Sequence, residues 1–307
     1  MIKAITVTNF IGNRMRLELG SPQNTGIIIK SINGLGAADA DINTTDIITR
    51  DGGLFNSSRI KQRNIIFNLL FMRSVIGETI EDIRQKTYKY FPVKREVELI
   101  IETDNRNVKI SGYVESNEPN IFSEKEGTQI SIICPDPYFY EAKNGDYTVT
   151  EFYSVEPMFE FPFANESMTE KLLNFGETNV NTEGVVTYFG DSEVGMIVHI
   201  HALGLATNIR MHNITTRETM FIDTTKVEAI TGGPITAGDD ILINTNKGYK
   251  SITLVRDGKS YNILNSVGKN AAWFTLVKGD NLFAFTADSG ISHLRILIKN
   301  KTLYEGV

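Results

Sequence analysis

A chain of 307 residues is long enough for two ordinary domains, each with its own core. Hydrophobic residues at 41% and charged residues at 22% describe a water-soluble globular protein, and no stretch approaches the roughly 18 apolar residues that a bilayer span needs, so no membrane insertion is expected. The net charge of −6 is uneven: residues 1–140 carry 17 basic and 17 acidic side chains, residues 141–195 carry 2 and 11, and residues 196–307 carry 12 and 9, so no segment forms the basic footprint of a tight nucleic-acid binder.

In chain order, MIKAITVTNF has no signal-peptide apolar core, which predicts synthesis and folding in a cytoplasm. Alternation of Ile2, Ala4, Thr6 and Thr8 with Ile5, Val7 and Asn9 predicts a strand, as does RMRLEL over 14–19, and a third strand is expected over 25–32. From Ser31 to Asn64 runs a long polar arm. Gly34, Gly36, Gly52 and Gly53 supply turns, while Ile32, Leu35, Ile42, Ile47, Ile48, Leu54, Phe55 and Ile60 alternate too weakly for a buried strand. Connections beyond about 12 to 15 residues are uncommon in compact domains unless they are functional or disordered. Its β-branched content argues against a floppy linker, so the arm reads as an extended segment ordered by packing on its own domain or on a neighbouring subunit.

The apolar run IIFNLLFM over 65–72 predicts a strand in a sheet covered on both faces. A helix is expected over 77–91, with Ile76, Ile80, Ile83, Thr87 and Tyr90 on one stripe, acids at its start, lysines at its end and Pro92 beyond. A hairpin follows, 97–103 with 108–115 about a turn at 104–107, then a strand over 128–134 that Pro135 and Pro137 close. Cys134, the single cysteine, excludes an internal disulfide; set among Ile130, Ile132 and Ile133, it reads as a buried structural thiol. The domain boundary is placed near Glu141, giving domains 1–140 and 141–307.

Aromatic residues crowd from Tyr138 to Phe163 and read as a segment pasting down the second domain, with a sugar-stacking platform as the functional rival. Beyond it, short alternating runs at 185–189, 196–202, 209–212, 219–223, 240–245, 251–256, 259–264, 281–285 and 293–299 predict an antiparallel β-sandwich.

Motifs for chemistry are sparse. His199 and His201 share a strand face but have no third ligand at a telling spacing, and Asp39, Asp41 and Asn43 begin a calcium-loop pattern in which Thr44 and Arg50 stand where glycine and glutamate belong. No nucleotide-binding glycine pattern and no G-x-S-x-G elbow occurs, and carboxylates such as Glu156 and Glu160 could pair as a glycosidase acid and nucleophile only at a separation that sequence does not give. The chain is therefore read as a non-enzyme without metal or cofactor.

The arm, through GLGAADADINTT and RDGGLFNSSRIKQRNI, resembles the N-terminal domain of the distal tail (Dit) proteins of long-tailed phages of Gram-positive bacteria, and TDNRNVKISGYVESNEPNIF at 103–122 and ISIICPDPYFYE at 130–141 extend the likeness. FEFPF at 159–163 and LFAFTADSG at 282–290 carry it more loosely into the second half. The resemblance implies an all-β protein: a split-barrel-like N-terminal domain with an extended arm, then a galectin-like antiparallel sandwich. It implies a structural hub at the virion tail tip, made in the bacterial cytoplasm, whose first domain closes into a ring of copies, a hexamer, connecting the tail tube to the host-adsorption apparatus. Implied partners are the tail tube protein, a tail-associated hub protein and receptor-binding or baseplate proteins outside the ring; a mildly acidic body suits a conduit through which DNA passes without specific binding.

Candidate ring contacts are Asn33, Asp46, Arg50, Phe55, Arg59 and Arg63 of the arm, with Asp104 and Arg106 of the hairpin turn; Phe55 would be the apolar anchor and the arginines would pair with neighbouring acids. Galectins hold sugar through H-x-N-x-R and a later tryptophan. Here His212-Asn213 is followed by Ile214 and Thr215, and Trp273 precedes Phe274. The rival reading is a monomeric carbohydrate-binding module for host cell-wall saccharide, with Trp273 and the aromatic segment facing sugar. A hub of a contractile tail or tailocin is a third.

Overall fold

The computed structural model describes residues 1–47, 51–73, 77–142, 147–157 and 176–307, the stretches 154–157 and 176–180 in backbone only. In chain order the elements are β1 (Ile2–Asn9), β2 (Arg14–Glu18), β3 (Ile27–Asn33), β4 (Ala40–Asp46), β5 (Gly53–Ile60), β6 (Arg63–Phe71), α1 (Ile80–Tyr90), β7 (Glu96–Thr103), β8 (Asn107–Pro119), β9 (Gly127–Cys134), β10 (Phe139–Glu141), β11 (Thr148–Glu151), β12 (Tyr153–Pro157) and β13 (Gly176–Val180). They continue with β14 (Glu183–Tyr188), β15 (Met196–Ala202), β16 (Ile209–Asn213), β17 (Glu218–Ile222), α2 (Thr224–Thr231), β18 (Asp240–Asn244), β19 (Ser251–Arg256), β20 (Lys259–Asn262), β21 (Gly279–Thr286), β22 (Leu294–Asn300) and β23 (Leu303–Tyr304). No described helix is long and apolar enough to cross a membrane.

The chain divides into two compact units, Met1–Asp146 with Leu303–Val307, and Tyr147–Thr302. Residues 303–307, expected in the second domain, complete the first: β23 pairs antiparallel with β10, which pairs with β8.

The first unit is built on a sheet ordered β2-β1-β7-β8-β9-β6-β3, open because its end strands β2 and β3 do not pair, so the described residues form no closed barrel. Alternation decides its buried face: Ile5 and Val7 of β1, Leu99 and Ile101 of β7, and Ile130, Ile132 and Cys134 of β9 point into one core. β6 was expected to be covered on both faces. Ile65, Phe67, Leu69 and Phe71 are buried, whereas Ile66, Asn68 and Leu70 remain half-exposed, so one face only is sealed. α1 seats Ile83 and Thr87 against the core. Thr79 caps it: Thr79 Oγ1 accepts from the Asp82 backbone N–H and the Asp82 carboxylate accepts from that of Thr79, which satisfies two of the open donors of the first turn. Ile76, expected on its stripe, lies outside the described residues.

In the second unit, a sheet ordered β11-β22-β15-β18-β19-β20 and one ordered β14-β21-β16-β17 each bury one face. Met196, Val198 and Ile200 alternate with half-buried neighbours on the first; Ile209, Met211, Phe283 and Phe285 do so on the second. Phe152, beside β11, meets Phe285 of β21 edge-on at 4.9 Å between ring centroids, tying the two sheets into one core. α2, not anticipated, begins at an Asp223 cap and ends at Gly232 in the left-handed region.

Candidate oligomer interface

The arm is a β-ribbon. β4 and β5 pair antiparallel as a two-stranded sheet of their own, joined to no other strand among the described residues. The register runs Ala40↔Ile60, Asp41↔Arg59, Ile42↔Ser58, Asn43↔Ser57, then shifts past Asn56 to Thr44↔Phe55, Thr45↔Leu54 and Asp46↔Gly53. Directly opposed residues share a face and successive residues alternate. One face therefore carries Ile42, Phe55 and Ile60 in a row among Ala40, Thr44, Ser58 and Asp46, and the other carries Asp41, Arg59, Asn43, Ser57 and Thr45 with the exposed Leu54 opposite Thr45.

The polar side chains of the second face pair within the ribbon. Arg59 Nε donates to Asp41 at 3.2 Å, Asn43 Nδ2 to Ser57 Oγ at 3.1 Å, and Asn56 Nδ2 to Thr45 Oγ1 at 2.6 Å. Lys61 Nζ stands 2.9 Å from the other Asp41 oxygen, and these hydrogen bonds, Lys61 first, hold the Asp41 carboxyl below its usual range. The apolar face has no such partner: Ile42 is 65% exposed, Phe55 60% and Ile60 40%. An isolated two-stranded ribbon is marginal in water, and exposed apolar rows on free strands are surfaces that pair with other chains.

The ribbon's root is rigid where its face is bare. Gly34 turns the chain out of β3 with φ +86°, and a Cβ there would meet the Asn64 carbonyl oxygen at 2.1 Å, so only glycine fits. Arg63, expected to reach a neighbour, is 4% exposed and its guanidinium is engaged within its own chain. Its Nε donates to the Pro137 carbonyl at 2.7 Å, Nη1 to those of Gly34 at 2.6 Å and Gly36, and Nη2 to that of Glu305 at 2.7 Å, while the guanidinium lies 4.5 Å from the Phe139 ring centroid. Four carbonyls from three chain segments converge on one planar fork, which a flexible cation could not hold together. Burial lowers the Arg63 pKa without discharging it.

The other candidates fall at different places. Asn33 ends β3, exposed and opposite Ile66; Asp46 ends β4, exposed, opposite Gly53; Arg50 lies outside the described residues. Asp104 accepts from the Met1 amino group and sits 3.2 Å from Lys3 Nζ, the amino group contributing most to its lowered pKa. The Arg106 guanidinium stacks 4.4 Å from the Tyr304 ring centroid. The hairpin-turn pair is thus engaged within its own chain.

Elsewhere, His199 Nε2 and His201 Nδ1 each contact Asp240 Oδ1 at 2.7 Å, and among the described residues no cluster of three or more His, Cys, Asp or Glu side chains is arranged to hold a metal. Burial pushes the Asp240 carboxyl up, but the two imidazole hydrogen bonds outweigh it and hold it below its usual range. Trp273 is half-buried with Lys250 Nζ 5.4 Å over its ring. Phe139 and Phe152 of the aromatic segment are buried, and Phe159, Phe161 and Phe163 lie outside the described residues, as does Glu160.

These elements define an all-β chain with an exposed ribbon and a sandwich unit, the Dit-like fold. The crystal structure of the Dit protein of phage SPP1, described as a paradigm of the hub adsorption apparatus in phages infecting Gram-positive bacteria, matches with a TM-score of 0.62 over 98% of this chain and 99% of that chain, at 10% identity. The phage P2 baseplate in its activated conformation matches at a TM-score of 0.43 both with calcium (13% identity, 100% of both chains) and with strontium (12% identity, 99% of both chains). No protein-family profile and no curated protein sequence matches the chain.

Proposed function

We propose that this protein is the structural hub of a phage tail tip, with the first unit closing on copies of itself into a ring, a hexamer, that connects the tail tube to the host-adsorption apparatus. The observation that carries the reading is the ribbon β4–β5, whose row of Ile42, Phe55 and Ile60 is exposed while the polar side chains of the other face pair with one another. A strand pair of that kind is completed only by another surface, and a patch on one copy meeting a different patch on the next generates a ring when the rotation closes. The fold shared with SPP1 Dit supports the same reading. Catalysis has no part in it. The second unit carries or contacts receptor-binding or baseplate proteins, the ring meets the tail tube protein and a tail-associated hub protein, and DNA crosses the channel without specific binding.

The test is the mass in solution, by light scattering over a wide concentration range, of the wild type and of the Phe55→Ala/Arg59→Ala double variant. A ring of six 34.3 kDa copies that is lost or weakened in the variant is the expected result. A wild type found only as single copies overturns the ring, and an unchanged ring in the variant removes the ribbon from the contact.

A further inference from the structure

A head-to-tail ring needs two complementary surfaces, and the ribbon is one of them. We infer that the other is the apolar patch formed by Phe10, Ile11, Val93 and Tyr113, so that the ribbon of each copy packs on that patch of the next; this rests on the ring reading and deepens it.

Position is the first argument. The ribbon springs from β3 and β6, the last two strands at one edge of the first unit's sheet. Phe10 and Ile11 occupy the turn between β1 and β2, the two strands at the opposite edge. Surfaces at opposite edges let every copy donate on one side and accept on the other, whereas surfaces at one edge favour a closed pair.

Composition is the second. Phe10 is 52% exposed, Ile11 68%, Val93 49% and Tyr113 48%, well above what single scattered apolar residues need to explain. They are neighbours rather than scattered. Asn9 stands opposite Val97 in β7, and Tyr113 opposite Glu96, at the β7 end that the Val93 loop enters. Lys94 N–H donates to the Val114 carbonyl at 2.9 Å and Val114 N–H to that of Arg95 at 3.1 Å, which lays the loop along β8; the Arg95 guanidinium is 5.1 Å from the Phe10 ring centroid.

Charge is the third. Lys94 and Arg95 flank the patch, and neither makes an ion pair among the described residues. Asp46 and Asp51, at the free end of the ribbon, make none there either. Acids beside the ribbon's apolar row and cations beside the patch's would set the register as the apolar surfaces meet.

The experiment is disulfide trapping in the full chain. Cys134 is buried and silent, so Phe55→Cys with Ile11→Cys leaves two reporters. Under mild oxidation this variant is expected to give a ladder of covalent multimers, which neither single variant nor Phe55→Cys with Phe122→Cys gives. A charge-swap series keeps the inference testable if cysteines disturb packing: Lys94→Glu/Arg95→Glu is expected to raise the concentration for half-assembly at least ten-fold, and adding Asp46→Lys/Asp51→Lys to restore it to within three-fold of the wild type. A wild-type ring whose assembly ignores the charge reversal and which yields no 55–11 crosslink overturns this acceptor surface and leaves the ring standing. A wild type that never assembles overturns both.

Discussion

Arg63 and Glu305 are 242 positions apart in sequence, yet Arg63 Nη2 donates to the Glu305 backbone carbonyl at 2.7 Å. Through it the last residues of the chain reach the root of the ribbon, where Val307 N–H also donates to the Leu35 carbonyl at 3.1 Å. The first unit therefore closes only after the whole second unit has been made.

Removing the buried Arg63 side chain leaves four partly buried carbonyls without their donor and opens space beside Phe139. Arg63→Ala is expected to cost the first unit about 3 kcal/mol or more, and Arg63→Lys to recover less than half of that, because one ammonium cannot span the fork. Urea unfolding followed by circular dichroism measures the loss. The fluorescence of Trp273, the single tryptophan and a member of the second unit, should shift little with the substitution.

Burial drives the Cys134 thiol up to about 12 against the nearby positive charge of Arg63, so it holds no thiolate at neutral pH. Alkylation by iodoacetamide should be undetectable in the native protein and appear only at the rate of unfolding. Cys134 Sγ would also lie 2.7 Å from a Cβ at Gly112, with Ile132 Cγ2 equally close, so Gly112→Ala should cost about 1–3 kcal/mol by overpacking while leaving the thiol protected at low denaturant.

Most of the strand plan was readable from alternation because most strands bury one face. β15 and β19 keep the expected bounds, and β14, β16, β17, β18, β21 and β22 shift by one or two residues. The ribbon was not readable as a ribbon. Asn56 inserts an extra residue that breaks the period-two pattern, so Ile42, Phe55 and Ile60 fall on one face only once the register shift is known. The surroundings of Arg63 were not readable either, because sequence shows a charge but not the four carbonyls, one of them 242 positions away, that the fold brings to it. α2 escaped for a similar reason: TTKVEAIT is rich in β-branched residues, and only the Asp223 cap and Gly232 betray it.

Because the apolar row of the ribbon is bare in the single copy, substitutions there should separate assembly from stability. Phe55→Ala and Ile42→Ala are each expected to change the unfolding free energy of dissociated chains by less than about 0.5 kcal/mol, against the 2–5 kcal/mol usual for truncating a buried side chain. Dilution to concentrations where the wild type is dissociated, then chemical unfolding of all three proteins, checks it. A loss of the buried-residue size would place the ribbon against its own protomer.

Asp239, the most buried of the second unit's described carboxyls that folding holds low, is expected to contribute to that unit's acid limit. It is 1% exposed, Arg256 Nε donates to it at 2.8 Å and Nη2 at 2.5 Å, and the Thr236 N–H adds a third bond at 2.8 Å. Burial pushes this carboxyl up, but the Arg256 and Thr236 hydrogen bonds prevail and hold it below the usual carboxylate range. A carboxyl lowered on folding contributes stability that is complete above its unfolded pKa and is lost as pH falls through the folded one, because protons then bind the unfolded chain more tightly. Trp273 fluorescence should therefore report a second unit whose stability is flat from neutrality to about pH 5 and falls below it. Asp239→Asn leaves the partly exposed Arg256 beside a neutral amide, which should cost about 1.5–3 kcal/mol at pH 7 and flatten the acid limb. An Asn variant as stable as the wild type at pH 7, with the same acid limb, would show that this pair does not set the limit.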